Sequence, residues 1–223
     1  MSLHIYEQLE QGSDEWLQAR CGIVTASQIG KLLTPKLQVA DNDTSRGLTL
    51  TLAAERITGH VEYVHPTFDM QRGTEDEPIA RDLYSEHYAP VEEVGFMTRD
   101  FGWGVIGYSP DGLVGDDGLI EIKSRKPKVH LQTILAGKPP AENMAQLQAG
   151  LLVSGRDWID YLSFSPGLPL WPTRIYPDPA WFDAITAAAE QFEINVADII
   201  SDYNHETNGL PPTERRIEIE DIF

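Results

Sequence analysis

Cysteine is nearly absent: Cys21 stands alone in 223 residues, which excludes an intramolecular disulfide, and no group of His and Cys has zinc-ligand spacing. Positive charge is also scarce. Seventeen Lys and Arg face 35 Asp and Glu, a net charge of -18, so the surface as a whole does not attract phosphate. No stretch of about 18 consecutive apolar residues occurs, which argues against a membrane partner. The opening MSLHIYEQLEQGSDEW carries acids where a secretory leader would carry a basic and then an apolar region. A soluble protein in a reducing, cytoplasmic setting is the expectation. Internal repeats, low-complexity tracts and linkers are lacking too, so one domain over 1–223 is expected, with a loosely attached C-terminal tail over 205–223 beyond the final helix.

The charge that is present is unevenly spread. Residues 1–139 hold 13 Lys and Arg against 21 acids, and residues 140–223 hold 4 against 14. The densest basic run is Lys123, Arg125, Lys126 and Lys128 in KSRKPKVH. Thr25 with Gln28 three residues on resembles a capping box opening a short helix. Helical spacing is expected again over 47–57, and over 74–88 with Ile79, Leu83 and Tyr84 inward and Pro78 in the first turn. The period then becomes strand-like around VEEVGFMTR, GWGVIGYSPDG and GLIEIKS, with Asp117-Gly118 marking a hairpin turn. A helix at ENMAQLQAGLLV, strands at WIDYLSF and LWPTRIY, and a helix capped by Asp178-Pro179 complete the chain. The expected class is α/β, a mixed central sheet flanked by helices.

Within SPDGLVGDDGLIEIK, Asp111 precedes the hairpin, while Glu121 and Lys123, two apart on one strand, project from the same face with Ile122 turned to the core. Two carboxylates brought together repel unless a cation, a proton or a lysine compensates, and a hard divalent metal with oxygen ligands is one solution. Such a set suits metal-assisted phosphodiester hydrolysis. Taken singly, Asp-x-Gly and Glu-x-Lys fit a solvated surface hairpin equally well. Together, in this order and strand context, they resemble the PD-(D/E)xK nuclease signature.

The likeness extends along the chain. QGSDEWLQARCGIVTAS, RGTEDEPIARDLY, SPDG with EIK, and NMAQLQAGLLVSG occur in the order found in the lambda-exonuclease and YqaJ-type viral recombinase nuclease family, over roughly residues 8–165. The resemblance implies a restriction-endonuclease-like fold. It also implies Asp111, Glu121 and the Ile122 carbonyl as metal ligands, and Lys123 as the residue that positions the attacking water. By the same resemblance Glu77 completes the metal site and Gln146 reaches it from a helix. Capping by Thr74 is the plainer explanation of Glu77, and an exposed polar face that of Gln146. Arg20, Ser27 and Ser109 correspond to residues that bind a terminal 5′-phosphate. A guanidinium fork suits that dianion, and a hydroxyl near a helix start adds a donor. A surface ion pair with Asp14 or Glu15 is the alternative for Arg20 and a helix cap that for Ser27. Trp16 reads as a core anchor that also helps to fix the arginine.

The family implies Mg²⁺, two ions per site with Mn²⁺ able to substitute. It further implies a homotrimer acting 5′ to 3′ on double-stranded DNA ends, and a single-strand annealing protein as partner. A structure-specific or restriction-like endonuclease, and a non-catalytic DNA-end-binding subunit, are the competing expectations.

Overall fold

The computed structural model describes residues 2–62 and 64–214. In chain order the elements are β1 (Ser2–Tyr6), α1 (Asp14–Arg20), β2 (Val24–Thr25), α2 (Ala26–Ile29) continued by a 3₁₀ turn, α3 (Asp43–Thr58), α4 (Phe68–His87), β3 (Phe96–Asp100), β4 (Val105–Tyr108), β5 (Gly112–Val114), β6 (Gly118–Ser124), α5 (Pro127–Ala136), α6 (Ala141–Ser154), β7 (Trp158–Phe164), β8 (Trp171–Ile175) and α7 (Pro179–Glu206). Among these residues no helix is long and apolar enough to cross a membrane.

The strands form two four-stranded sheets, ordered β1-β3-β4-β2 and β5-β6-β7-β8. Both are mixed: β2 with β4 and β6 with β7 run parallel, and the remaining pairs antiparallel. The single central sheet expected from the sequence is therefore divided. The break falls at Ser109-Pro110, where proline offers no ladder N–H, so GWGVIGYSPDG gives its first half to one sheet and its end to the other.

Period-two alternation along β6 places Leu119 and Glu121 toward α6, and Ile120 and Ile122 toward α4. Leu119 joins Tyr108, Leu147, Leu151, Ile159, Tyr161 and Phe192 in the main core. Ile120 and Ile122 join Ala80, Tyr84, Leu162 and Phe164 in a smaller core beneath α4. Helix α6 packs against β3, β4, β7 and α2, and α7 closes the far side against α3 and α6. That double cover explains why β6 and β7 are buried almost throughout.

Several local expectations are corrected. Helix α4 starts at Phe68, capped by Thr67 whose Oγ1 accepts from Met70 N, so Thr74 is mid-helix and opens no capping box. Pro78 lies inside the helix with its ring exposed, where packing of the opposite face offsets the lost hydrogen bond. Ile79 is 53% exposed, whereas Ala80 and Tyr84 are buried, because the inward stripe runs through the polar Asp76 and not through Ile79. Strand β1, with Leu3 and Ile5 alternating, was not expected and is an exposed edge. Helix α5 was not expected: its buried residues are His130 and Thr133, while Leu131 and Leu135 face outward. It also splits the basic run: Arg125 turns inward to Asn143 and Tyr161, and Lys126 caps α5. Of the expected tail, residues 205–206 complete α7, 207–214 are irregular, and 215–223 lie outside the described residues.

One buried polar network ties α4 to the second sheet. Tyr84 Oη donates to Asp160 Oδ2 (2.6 Å), and Arg174 makes a two-pronged contact to the same carboxylate (2.9 Å each) while stacking on Trp158. Asp160→Ala leaves the Tyr84 hydroxyl buried without an acceptor, while the half-exposed Arg174 hydrates. The expected cost is about 1–3 kcal/mol, read as a lower urea midpoint. An unchanged midpoint would show the network to be dispensable.

Candidate active site

Strand β6 carries two of the three acid-and-lysine residues and its hairpin supplies the third. Asp111 directly precedes β5, and its Oδ2 accepts from Ile122 N across the hairpin (2.6 Å). That bond brings the first carboxylate alongside the second strand. Glu121 is almost fully buried at 1% exposure, and each of its oxygens has a donor. Lys123 Nζ (2.6 Å) and Gln146 Nε2 (2.5 Å) donate to Oε1, and Tyr108 Oη (3.2 Å) donates to Oε2. Gln146 thus reaches the site from α6 and is not left on a solvated face. Tyr108 is a member that sequence reasoning missed. Its ring lies against Gly150 of α6, where an added Cβ would come within 2.8 Å of it. The signal was present as the aromatic two residues before Pro110, followed by a glycine in NMAQLQAGLLVSG.

Glu77 enters from α4, beside the hairpin. It is ion-paired to Arg81, whose Nε donates to the Asp111 carbonyl (2.8 Å) and whose other edge meets Glu93 (2.8 Å). Arg81 is a second missed residue, legible only as the i+4 partner of Glu77. Ser124, next to Lys123, donates to the buried Asp76 (2.6 Å) and fixes α4 against the end of β6.

The electrostatics are those of crowded anions. Burial, then the Glu121 and Glu77 carboxylates, push Asp111 well above the usual carboxylate range. Burial raises Glu77 too, with Arg81 opposing and Glu121 adding to the effect. Burial disfavours the Lys123 ammonium, but Glu121 and Asp111 outweigh it and the lysine is raised. Lys123 and Arg81 together face Asp111, Glu121, Glu77 and Glu93, so acids outnumber cations and further positive charge is favourable here. The donors are hard oxygens, the class that Mg²⁺ takes. Among the described residues no three acidic, His or Cys side chains close into a metal cage of their own.

At the other end of the cavity, Ser109 Oγ accepts from Arg20 Nη1 (3.2 Å) and Trp16 Nε1 (3.0 Å). The Arg20 guanidinium lies 3.9 Å above the Trp16 ring. Trp16 is thus a bracket for the arginine more than a core anchor, and no ion pair of Arg20 with Asp14 or Glu15 forms. Burial, opposed by Glu55, lowers Arg20 to about 10, which leaves it cationic near neutrality. Ser27 is exposed on α2, 3.2 Å from the Thr25 hydroxyl. With only four residues, α2 adds little dipole to that position.

All eight side chains named from the sequence, Arg20, Ser27, Glu77, Ser109, Asp111, Glu121, Lys123 and Gln146, line one open cavity of about 380 Å³. A larger cleft of about 540 Å³ between α3 and α7 is lined mainly by apolar groups, with its Arg46 paired to Asp41.

The chain matches the YqaJ-like viral recombinase domain over residues 15–157. It is similar to the crystal structure of an alkaline exonuclease (LHK-Exo) from Laribacter hongkongensis, with TM-score 0.80 and 34% identity, covering 89% of this chain and 100% of that one. LHK-Exo in complex with dAMP matches with TM-score 0.80 and 35% identity over the same shares. A phage related exonuclease from Haemophilus somnus 129PT, at TM-score 0.60 and 15% identity over 81% of this chain and 96% of that one, shares the fold. The restriction-endonuclease-like α/β class expected from the sequence is the class observed. Comparison with curated proteins gave no match.

Proposed function

Because this chain belongs to the YqaJ-like viral recombinase domain family, we propose that it is a divalent-metal-dependent exonuclease on linear double-stranded DNA, removing nucleotides 5′ to 3′ and leaving a 3′ single-stranded overhang. The observation that carries this is the opposition, within one cavity, of an acid-and-lysine centre to an arginine bracketed for an anion. The likeness to an alkaline exonuclease, one of whose structures holds dAMP, agrees with a site of mononucleotide size.

In this reading Arg20, Ser109 and Ser27 hold the terminal 5′-phosphate, and the next phosphate along the strand lies against Asp111, Glu121 and Lys123. Asp111, Glu121 and the Ile122 carbonyl, with Glu77 completing the set, hold Mg²⁺, in two positions, with Mn²⁺ able to replace it. Bound there, the ion would supply neutralising charge at the phosphoryl oxygens and would make water more acidic. Lys123 Nζ orients the attacking water and Gln146 keeps Glu121 in place. Water oxygen bonds to phosphorus, the bond from phosphorus to the 3′-oxygen of the terminal nucleotide breaks, and that oxygen takes a proton. A 5′-mononucleotide leaves, and the shortened strand again ends in a 5′-phosphate, the group that Arg20 receives. Each product is the next substrate.

The functional setting follows: a cytoplasmic homotrimer enclosing DNA, one nuclease domain per chain, and a single-strand annealing protein that takes the overhang. Sedimentation at working concentration tests the trimer, and a monomer would remove it without touching the chemistry.

The decisive experiment offers linear duplex with 5′-phosphate or 5′-hydroxyl ends, and closed circular plasmid, in Mg²⁺ or EDTA. Mononucleotides from the phosphorylated linear substrate in Mg²⁺ are expected. Cleavage of the closed circle would favour an endonuclease, and cleavage in excess EDTA would exclude the metal mechanism. Arg20→Ala is expected to erase most of the preference for phosphorylated over hydroxyl ends, because a charge-assisted contact to the terminal phosphate is lost. Equal slowing on both ends would make Arg20 a structural residue.

A further inference from the structure

At the rim of the cavity, beyond Lys123, two cations from different elements share one carboxylate. Arg72 Nη1, on α4, lies 2.6 Å from Asp69 Oδ1, and Lys126 Nζ, just past β6, approaches the same carboxylate at 3.4 Å. Asp69 is open to solvent, its side chain 57% exposed, as is Lys126 at 64%, whereas Arg72 is only 21% exposed. The arginine is held by its other edge. Its Nε donates to Ser124 Oγ (3.0 Å), and that hydroxyl is anchored by donating to Asp76. The guanidinium is thus oriented before any ligand arrives, with its outer edge presented to an anion. Asp69 and Ser124 line the same cavity as the acid-and-lysine centre. Lys126 lies three residues beyond Lys123, about 10 Å along an extended chain, which puts this rim within reach of a strand whose scissile phosphate meets Lys123.

A carboxylate and a phosphodiester each present two oxygens to paired donors, and an arginine fork with a neighbouring lysine suits the phosphate. Most other cations near the site are already committed: Arg81 to Glu77 and Glu93, and Arg125 to Asn143. We propose that Arg72 and Lys126 form a backbone-phosphate site for the DNA strand adjoining the scissile bond, and that Asp69 fills this site until DNA displaces it. The inference rests on the nuclease function proposed above.

The test measures affinity for a 5′-phosphorylated linear duplex in EDTA over a range of salt, with wild-type cleavage in Mg²⁺ run alongside. Lys126→Ala should weaken binding and flatten the slope of log affinity against log salt by about 0.7–0.9, the value of one phosphate contact. Asp69→Asn should tighten binding by about threefold at low salt, the effect of freeing the exposed Lys126 and the outer edge of Arg72. Asp198→Asn, removing an exposed acid on α7, controls for net charge and should change little. A merely local ion pair predicts that Asp69→Asn binds as the wild type or more weakly, and either result overturns the proposal. So does an equal gain from Asp198→Asn, or an unchanged slope in Lys126→Ala. A wild-type protein that releases no nucleotide overturns the nuclease function and this inference with it. Normal wild-type cleavage with unaltered variants overturns this inference alone.

Discussion

Removing the Lys123 ammonium is expected to slow DNA hydrolysis by more than about a hundredfold, the usual size of a lost proton-positioning or charge-stabilising group. The ammonium sits 2.6 Å from Glu121 Oε1, in a cavity that Asp111 and Glu77 also line. Lys123→Ala also leaves the buried Glu121 with Gln146 and Tyr108 as its only donors, so part of its effect could be structural. Lys123→Gln separates the two, because an amide still donates to Glu121 without carrying charge. Single-turnover hydrolysis at saturating DNA should be lost in both variants, with the folding transition close to wild type in the glutamine variant. Near-normal turnover of Lys123→Gln would remove the lysine from the chemistry.

The second large effect is expected at Asp111. Asp111→Asn keeps an oxygen for Ile122 N but loses the charge that would hold a cation, so hydrolysis should again fall by more than about a hundredfold with the fold intact. Asp111→Ala should lose the same activity and in addition destabilise the hairpin by about 1–3 kcal/mol, because the Ile122 N–H loses its acceptor. The two variants together distinguish ligand from scaffold: equal stability with unequal activity would contradict the assignment. Added Mn²⁺ should restore neither. If Asp111→Asn turns over normally in Mg²⁺, the carboxylate is there for the hairpin alone.

What the sequence determined by itself is local. Asp111, Glu121 and Lys123 lie within thirteen positions, and a period-two strand with an Asp-Gly turn is sufficient to put Glu121 and Lys123 on one face with Asp111 across from Glu121, in line with the register that pairs Gly112 with Ile120. Helix α7 was equally legible, because Asp178-Pro179 and a continuous apolar stripe through Ile185, Phe192 and Val196 act over single turns. Those signals are contained in the chain segment that obeys them. Tertiary structure decided the rest. Nothing near Arg20 announces Ser109, 89 residues away, and only closure of α1 over the end of β4 makes the bracket. Helix α4 showed Leu83 and Tyr84 as inward but hid Asp76, which is satisfied by Ser124, a group that a sequence window does not contain. Helix α5 was obscured by the basic run that overlaps its start, and its buried side is polar, His130 meeting Ser163 and the Pro169 carbonyl. A buried polar residue is indistinguishable from an exposed one until its distant partner is known. Short-range periodicity thus fixed the acid-and-lysine hairpin, whereas the Arg20–Ser109 bracket, the Gln146 and Tyr108 contacts and the shared carboxylate at Asp69 arose from long-range packing, because hydrogen bonds and desolvation depend on which groups the folded chain brings together.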